Sequence, residues 1–215
     1  MFDLTLTFDN GPEPGVTDSV LDTLARHELR TTFFVLGHKL AKPEGRKLAE
    51  RAHAEGHWIG NHTWSHRTPL GELSDAREAE TEIARTQEEL GRLAHPRRYF
   101  RPFGGANLDN RLLNTVALDY LVRERFTCVL WNAVPRDWED ADGWVARALE
   151  QGQAQSWSLM VLHDLPTGAM RHLDRFIGEA KARGGRFREE FPIECMPIVD
   201  GKIVSPLDAY VTRAV

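Results

Sequence analysis

The pattern that decides the fold starts at residues 4–12, which read LTLTFDNGP. Residues 4–8 have the periodicity of a β-strand, and a polar turn follows them directly. A helical pattern comes next at residues 18–27, with Thr17 as its predicted N-cap. Strand, polar turn and helix form one βα unit, and the same unit recurs along the chain.

The later units follow the same order. Short apolar runs predict further strands at residues 31–36, 57–60, 99–101, 127–131 and 159–163. Helical patterns predict helices at residues 41–55, 74–93, 110–120, 140–149 and 170–183. The charged side chains of the 74–93 helix, Glu78, Glu80, Glu82 and Arg85, are interpreted as its face toward water. No linker rich in Pro, Gly or Ser separates the units, so we predict one closed or nearly closed α/β barrel, with an open doubly wound sheet as the alternative.

The end of the chain has a different pattern. Asp200 and Gly201 lie between apolar triplets, which predicts a β-hairpin within residues 196–204. We therefore predict a single domain over residues 1–215, in which residues 192–215 form an appended tail that carries this small C-terminal hairpin.

Composition limits the class of protein. A length of 215 residues suits one ordinary domain, and 41% hydrophobic with 27% charged residues excludes a disordered or low-complexity chain. The 27 basic and 32 acidic side chains give a net charge of −5, so the chain has no overall electrostatic footprint for nucleic acid or an anionic membrane. Cys128 and Cys195 cannot form a disulfide framework and are expected to be reduced. Since the sequence shows neither a signal peptide nor an apolar run of about 18 residues, we expect a cytoplasmic location unless the chain has been trimmed.

The most informative polar residues follow the predicted strands. They are Asp9, Asn10, His62, His66, Arg101, Asp137, His163 and Asp164. All strand ends of a βα barrel open on one face, where such folds carry their chemistry. We therefore expect five separate segments to meet in one pocket.

Each of these residues also has an ordinary structural interpretation. His62 and His66 are spaced to reach one divalent ion, but a histidine pair at this spacing is more often on the surface or in the core. Asp9 also suits a turn or a helix cap, and His163 suits the core. Asp137 also suits a solvated loop, and Arg101 suits a surface position or an ion pair.

The combined pattern resembles the polysaccharide deacetylases, the NodB-like domain of carbohydrate esterase family 4. Seven blocks carry the resemblance in order, at residues 7–12, 17–24, 32–37, 56–66, 100–104, 131–138 and 159–164. They include GHWIGNHTWSH at 56–66, FRPFG at 100–104 and LMVLHD at 159–164. The resemblance covers about residues 4–191 and implies an irregular (β/α)7-type barrel that hydrolyses an N-acetyl or related amide on a sugar.

The resemblance implies a metal-assisted reaction. Asp9 corresponds to the catalytic base that activates metal-bound water, and His62 and His66 correspond to metal ligands. Asn10 stands where the family has a third, aspartate ligand. The implied cofactor is a divalent metal, with zinc as the expected ion, held less tightly because an amide oxygen carries no charge.

The remaining roles follow from the same resemblance. His163 corresponds to the general acid, Asp137 to the carboxylate that orients it, and Arg101 to the arginine paired with the base. Three residues are expected to bind substrate. Trp138 and Val161 correspond to walls of the acetyl pocket, and the backbone N–H of Phe103 is expected to stabilise the developing negative oxygen.

Two departures from the family pattern leave the function and one assignment open. Asn10 permits a loosely bound metal, a metal-independent amidohydrolase of a small C–N substrate, or a non-catalytic carbohydrate-binding relative. Arg101 and Pro102 are adjacent where the family has an intervening residue, so Arg98 is a reserve candidate for the arginine role.

The expected substrate is a soluble N-acetylated oligosaccharide or another small amide, because no leader for export is visible. Trp64 and Trp138 are candidates for stacking against a sugar, and Trp64 also suits the role of a loop anchor. The sequence leaves the oligomeric state open.

Overall fold

The structure is a computed structural model that describes residues 1–212. Its strands are β1 (Phe2–Asp9), β2 (Thr32–Val35), β3 (Trp58–Asn61), β4 (Tyr99–Phe100), β5 (Leu113–Asn114), β6 (Thr127–Cys128), β7 (Trp157–His163), β8 (Gly185–Arg188), β9 (Ile198–Val199), β10 (Lys202–Ile203) and β11 (Val211–Thr212). Its α-helices are α1 (Thr17–Arg26), α2 (Gly37–Leu40), α3 (Pro43–Ala54), α4 (Glu78–Leu90), α5 (Thr115–Arg123), α6 (Trp144–Gln153) and α7 (Leu173–Ala182). Short 3-10 helices occur at Leu70–Glu72, Gly91–Leu93, Ala169–His172, Ile193–Cys195 and Asp208–Tyr210.

The main sheet is centred on β1. Its strand order is β10-β9-β6-β4-β3-β2-β1-β7, and β8 also pairs with β1. Strand β7 runs along one side of β1, while the other side is shared by β8 at residues 2–5 and β2 at residues 7–9. The pairs from β7 through β6 are parallel, so these strands end at one edge. The predicted α/β barrel is confirmed as a curled, mixed half-barrel with helices.

The first strand is buried along its whole length, as the central strand of a parallel sheet must be. Its apolar side chains, together with residues of the surrounding helices, form the largest core cluster. That cluster includes Leu4, Phe8, Leu21, Leu24, Trp144 and Phe176. β1 therefore carries Asp9 at its end on a rigid support.

Several predicted helix boundaries are shifted. The helix predicted at 41–55 is α3, which begins at Pro43 because proline suits the first turn of a helix, and the short α2 that precedes it was not predicted. Helix α4 begins at Glu78 rather than at residue 74, and α5 begins after the N-cap Asn114, whose side chain accepts the Ala117 N–H at 2.8 Å. The prediction that Thr17 is an N-cap is wrong: α1 includes Thr17, and the Thr17 hydroxyl donates to Asp164 instead.

The predicted hairpin is confirmed. Asp200 and Gly201 have φ of +49° and +78°, the left-handed pair that a two-residue turn requires. β9 and β10 pair antiparallel, and β9 also pairs with β6, so the hairpin continues the main sheet. Residues 213–215 of the predicted tail lie outside the described residues.

Two further findings concern membrane spans and the two cysteines. Across residues 1–212, no helix combines the length and apolar character needed to cross a membrane. Burial raises the pKa of the Cys128 and Cys195 thiols to about 12, so both stay protonated at neutral pH.

Two glycines give opposite predictions for stability. A Cβ on Gly201 would lie 2.5 Å from the Val122 carbonyl oxygen at a left-handed φ, whereas one on Gly178, on the exposed side of α7, meets open space. We expect Gly201→Ala to lower the free energy of unfolding by about 1–3 kcal/mol. Gly178→Ala should raise it by about 0.5–1 kcal/mol, because alanine favours the helix. Urea denaturation measures both, and equal midpoints for the two variants would contradict this account of the turn.

Candidate active site

One cavity of about 200 Å³ opens at the carboxyl ends of the parallel strands. It is lined by Asp9, Asn10, His62, His66, Pro102, Phe103, Gly104, Gly105, Trp131, Trp138, Val161, His163 and Leu165. Eight of the ten predicted site residues belong to this lining. The other two, Arg101 and Asp137, are fully buried behind it. The structure thus brings all ten together, as the shared edge of parallel strands predicts.

Asp9 is a buried carboxylate whose charge is balanced by Arg101. The Arg101 Nη1 donates to Asp9 Oδ1 at 2.8 Å and to Thr7 Oγ1 at 2.6 Å. The rest of its guanidinium donates to the carbonyls of Val129 and Leu130, both at 3.2 Å. Burial lowers the pKa of Arg101, an effect that the Asp9 charge opposes. These contacts fix the carboxylate through Oδ1, while Oδ2 lies 3.6 Å from His62 Nε2.

The shortened Arg101–Pro102 motif therefore still delivers an arginine to Asp9. Arg98, the reserve candidate, lies on the surface with 44% of its side chain exposed and pairs with Glu124 at 3.6 Å. Phe103 lines the cavity, and its ring stacks on His66 with the ring centroids 3.7 Å apart.

His62 and His66 lie in the loop that follows β3. The Nδ1 of His62 is 2.8 Å from the Arg101 carbonyl oxygen, which can only accept, so Nδ1 carries the proton. The Nε2 lone pair is then directed toward Asp9, whose Oδ2 lies 3.6 Å away. Burial lowers the pKa of both imidazoles, that of His66 to about 2. Two neutral rings with centroids 5.0 Å apart can each offer a lone pair to a cation.

Asn10 is a third candidate donor at the same cavity. Its Oδ1 is buried and has no hydrogen-bond partner among the described residues. A buried acceptor without a partner costs about 1–3 kcal/mol, so this oxygen is poised for a ligand. Within residues 1–212 there is no group of three His, Cys, Asp or Glu side chains that could hold a metal ion. The donors present, two imidazoles and one amide oxygen, still fit a divalent cation, though with less charge than a carboxylate would bring.

His163 and Asp137 form the second charged pair. The Asp137 carboxylate accepts from His163 Nδ1 and from the His163 backbone N–H, both at 2.9 Å. Burial disfavours the charged imidazole, but the hydrogen bond and charge of Asp137 outweigh it, so the pKa of His163 is raised. Trp138 packs edge-on against the ring with centroids 4.7 Å apart. The raised pKa favours the charged form of His163, in which Nε2 is the remaining donor.

The register of the sheet sets the distance between these two pairs. Asp9 and His163 are direct register partners in β1 and β7, so a carboxylate and an imidazole with a raised pKa lie side by side at the strand ends. Val161, two residues earlier in β7, also lines the cavity. This arrangement can remove a proton at one position and deliver one at a neighbouring position.

The sequence assigned no role to Asp164, whose carboxyl group lies against Gly11 in the loop after β1. Its carboxyl group is fully buried, accepts the Thr17 hydroxyl, and has its pKa raised to about 7 by burial. A Cβ at position 11 would collide with this carboxyl, so Gly11 is required next to Asn10. The position of Asp164 after a predicted strand was the available signal.

Trp64 lies outside the cavity. Its indole is covered by the Arg85 guanidinium, whose Cζ is 3.5 Å from the ring centroid. Trp64 lines a separate hollow together with His38 and Glu82. The structure thus places it as a loop anchor, whereas Trp138 lies at the cavity.

Comparison with known proteins places the chain among sugar deacetylases and esterases. Residues 3–122 match the polysaccharide deacetylase family. A peptidoglycan-N-acetylglucosamine deacetylase of Bacillus cereus is 32% identical over 190 residues, which cover 86% of this chain and 66% of that protein. A chitooligosaccharide deacetylase of Rhizobium leguminosarum bv. trifolii is 35% identical over 165 residues, covering 74% and 70% respectively.

A solved structure has the same fold. The family 4 acetyl xylan esterase of Clostridium thermocellum, in complex with a cobalt ion, is 25% identical with a TM-score of 0.71 over 87% of each chain. The chain spans just under two thirds of the Bacillus cereus relative and only 36–37% of longer peptidoglycan deacetylases that it also matches.

The pKa of His163 tests the role of Asp137. In metal-free protein we expect Asp137→Asn to lower that pKa, because the hydrogen-bonded charge that outweighs burial is lost. The pH titration of the His163 ring protons by NMR measures it. Asp142→Asn, which alters the pair with His172 at the surface, is the matched control and should leave the His163 titration unchanged.

The same pair gives a pH dependence of stability. Because the His163 pKa is raised in the folded state, its stabilising contribution is present at low pH and is lost as pH rises through that pKa. The wild-type protein should therefore exceed Asp137→Asn in free energy of unfolding by more just below pH 6.5, the ordinary histidine pKa, than above the raised pKa of His163. A difference that grows with rising pH would refute this assignment.

Proposed function

The chain belongs to the polysaccharide deacetylase family, and we propose that it is a hydrolase that removes acetyl groups from N-acetylated sugars by cleaving the C–N amide bond. The observation that carries the proposal is the pairing of Asp9 with His163. One is a carboxylate compensated by Arg101 and the other an imidazole with a raised pKa, and the two are register partners at one cavity. Neighbouring acid and base groups in different environments are what amide hydrolysis requires.

The protein side chains divide the proton transfers. Asp9 takes a proton from the attacking water, and Arg101 holds its carboxylate in place through Oδ1. His163 gives its Nε2 proton to the departing amine, so that the amine leaves as a neutral group. Asp137 stabilises the charged imidazole before that transfer.

Three cavity residues suit the acetyl group. Trp138 and Val161 supply an apolar wall for its methyl group, and the Phe103 backbone N–H would stabilise the oxygen that becomes negative. The cavity volume of about 200 Å³ suits a small acyl group at the strand ends.

We propose that a divalent cation, zinc in the first instance, assists the reaction. His62, His66 and the Asn10 amide oxygen would hold it, as their neutral rings and unpartnered oxygen support. When bound, such a cation polarises the amide carbonyl and lowers the pKa of water. The cobalt ion in the Clostridium thermocellum relative supports a metal site in this fold.

The substrate we propose is an oligosaccharide that contains N-acetylglucosamine. The Rhizobium relative is named a chitooligosaccharide deacetylase and the Bacillus cereus relative a peptidoglycan-N-acetylglucosamine deacetylase. Both names share the N-acetylated sugar.

Acetate release from chitooligosaccharides tests the activity. With added zinc or cobalt we expect turnover, and Asp9→Asn should lower kcat by about 10²- to 10⁴-fold because the base is lost. His62→Ala should also abolish the metal-stimulated rate. Arg98→Ala, a surface arginine, is the control and should keep wild-type turnover.

Two outcomes would favour other functions. Turnover that survives both chelation and His66→Ala would identify a metal-independent amidohydrolase of a small C–N substrate. Sugar binding detected by calorimetry, with no product formed under any added metal, would identify a carbohydrate-binding protein and contradict the deacetylase proposal.

Asn10 gives a prediction for metal affinity. Asn10→Asp puts a negative charge where the buried, unpartnered oxygen now lies, so we expect at least about tenfold tighter cobalt binding. The left-handed φ of +74° suits either residue. Asn107→Asp adds the same charge on an exposed loop and is the control; calorimetry in which both variants bind cobalt equally would exclude position 10 as a ligand.

A further inference from the structure

The loop that carries both histidines has an unusual backbone. We call residues 62–66 the histidine loop; it belongs to neither a helix nor a strand. Thr63 and His66 have φ of +69° and +53°, a left-handed conformation that few residues other than glycine adopt. Such a backbone persists only when surrounding contacts determine it.

The carbonyl groups of the histidine loop are held from one side by α2. The Gly37 N–H donates to the Thr63 carbonyl at 3.0 Å, and the His38 N–H donates to the Trp64 carbonyl at 3.1 Å. The His38 Nδ1 lies 2.7 Å from the same Trp64 oxygen. These acceptors are thus satisfied by the element that follows β2.

The amide groups of the histidine loop are held from the other side by one carboxylate of α4. Glu82 Oε2 accepts the Trp64 N–H at 3.0 Å and the Ser65 N–H at 2.8 Å. Hydrogen bonds to an ionised acceptor are stronger than neutral ones. Arg85, three residues along the same helix, covers the Trp64 ring. The sequence-based interpretation of Glu82 as part of a face in water is therefore wrong, since the side chain is half-buried against the loop.

We infer that Glu82 is a positioning residue that fixes the histidine loop and thereby places His66 beside His62. It contacts the two amides that directly precede His66, and it acts through the backbone. The inference rests on the proposed function only in the use of His66 as a cation ligand.

The chemistry of the contact distinguishes Glu82 from a general charge effect. A single oxygen accepts both N–H groups, so the amide oxygen of glutamine can reproduce the contact without the charge. Alanine removes the acceptor and leaves both donors without it. Glu88, exposed on the same helix, provides a matched control.

Hydrogen exchange in metal-free protein tests the fixing of the loop. We expect the Trp64 and Ser65 amides to exchange faster in Glu82→Ala and to stay close to wild-type in Glu82→Gln and Glu88→Ala. The amides in the middle of α4 should be unchanged in all variants, which separates a loosened loop from global unfolding. Wild-type exchange at both amides in Glu82→Ala would overturn the inference.

Cobalt binding tests the consequence for His66. From the visible absorption of Co²⁺ titrated into each protein, we expect Glu82→Ala to bind about 10- to 100-fold more weakly, as is typical when a group that orients a ligand is removed. Glu82→Gln should recover most of the affinity. Equal cobalt affinity in wild-type and Glu82→Ala would overturn the role of Glu82 at His66. If wild-type protein takes up no Co²⁺, the metal part of the proposed function fails, and the exchange experiment alone decides whether Glu82 fixes the loop.

Discussion

The buried ion pair between Asp9 and Arg101 is the constraint on which the site depends. A carboxylate 3% exposed at the end of the central strand is tolerable only with a compensating charge and satisfied oxygens. Arg101 provides that charge. Its guanidinium also donates to the carbonyls of Val129 and Leu130 and to the Thr7 hydroxyl. Removing one partner of such a pair costs about 3–5 kcal/mol, because the other charge stays buried. Asp9, the proposed base, thus also helps Arg101 to connect β1 to the segment after β6.

The second buried pair joins the Asp137 carboxylate to the His163 imidazole. Asp137 is fully buried, and its hydrogen bond and charge raise the pKa of His163, which favours the charged imidazole beside it. Asp9 is paired with the guanidinium of Arg101, whereas the partner of Asp137 is an imidazole that can donate a proton. The different roles proposed for the two carboxylates follow from these different partners.

Much of this site could be predicted because strand ends are visible in a sequence. Polar residues directly after apolar runs identified Asp9, His62 and His163, and parallel strands bring such ends to one edge. Strand β8 escaped prediction, because its residues Gly185–Arg188 alternate between half-buried and exposed and include one apolar side chain, so the segment has no apolar run.

Glu82 could not be predicted, because its partners are backbone amides 17 and 18 residues away, and backbone groups leave no mark in a sequence. A glutamate on a charged helix looks the same whether it faces water or two amides. Thr17 is a similar case: its side chain turns to Asp164, a contact across 147 residues that local helix-capping rules do not contain. In both cases the contact lies outside the local helix pattern and outside the roles that the family resemblance assigns.

Asn10 shows how a neutral side chain changes the balance of a charged site. With an aspartate at this position, the loop after β1 would hold two adjacent carboxylates, of which Arg101 pairs only with that of Asp9. Without a cation the second carboxylate would stand beside Asp9 in the chain and place a charge where the buried Asn10 oxygen now has no partner. Asn10 avoids that repulsion and leaves one unpartnered oxygen, which is less costly than an unpaired charge. Asn10 therefore makes the cation-free site more stable than an aspartate would. For the same electrostatic reason it binds a cation more weakly, while the Asp9–Arg101 and Asp137–His163 pairs are unaffected.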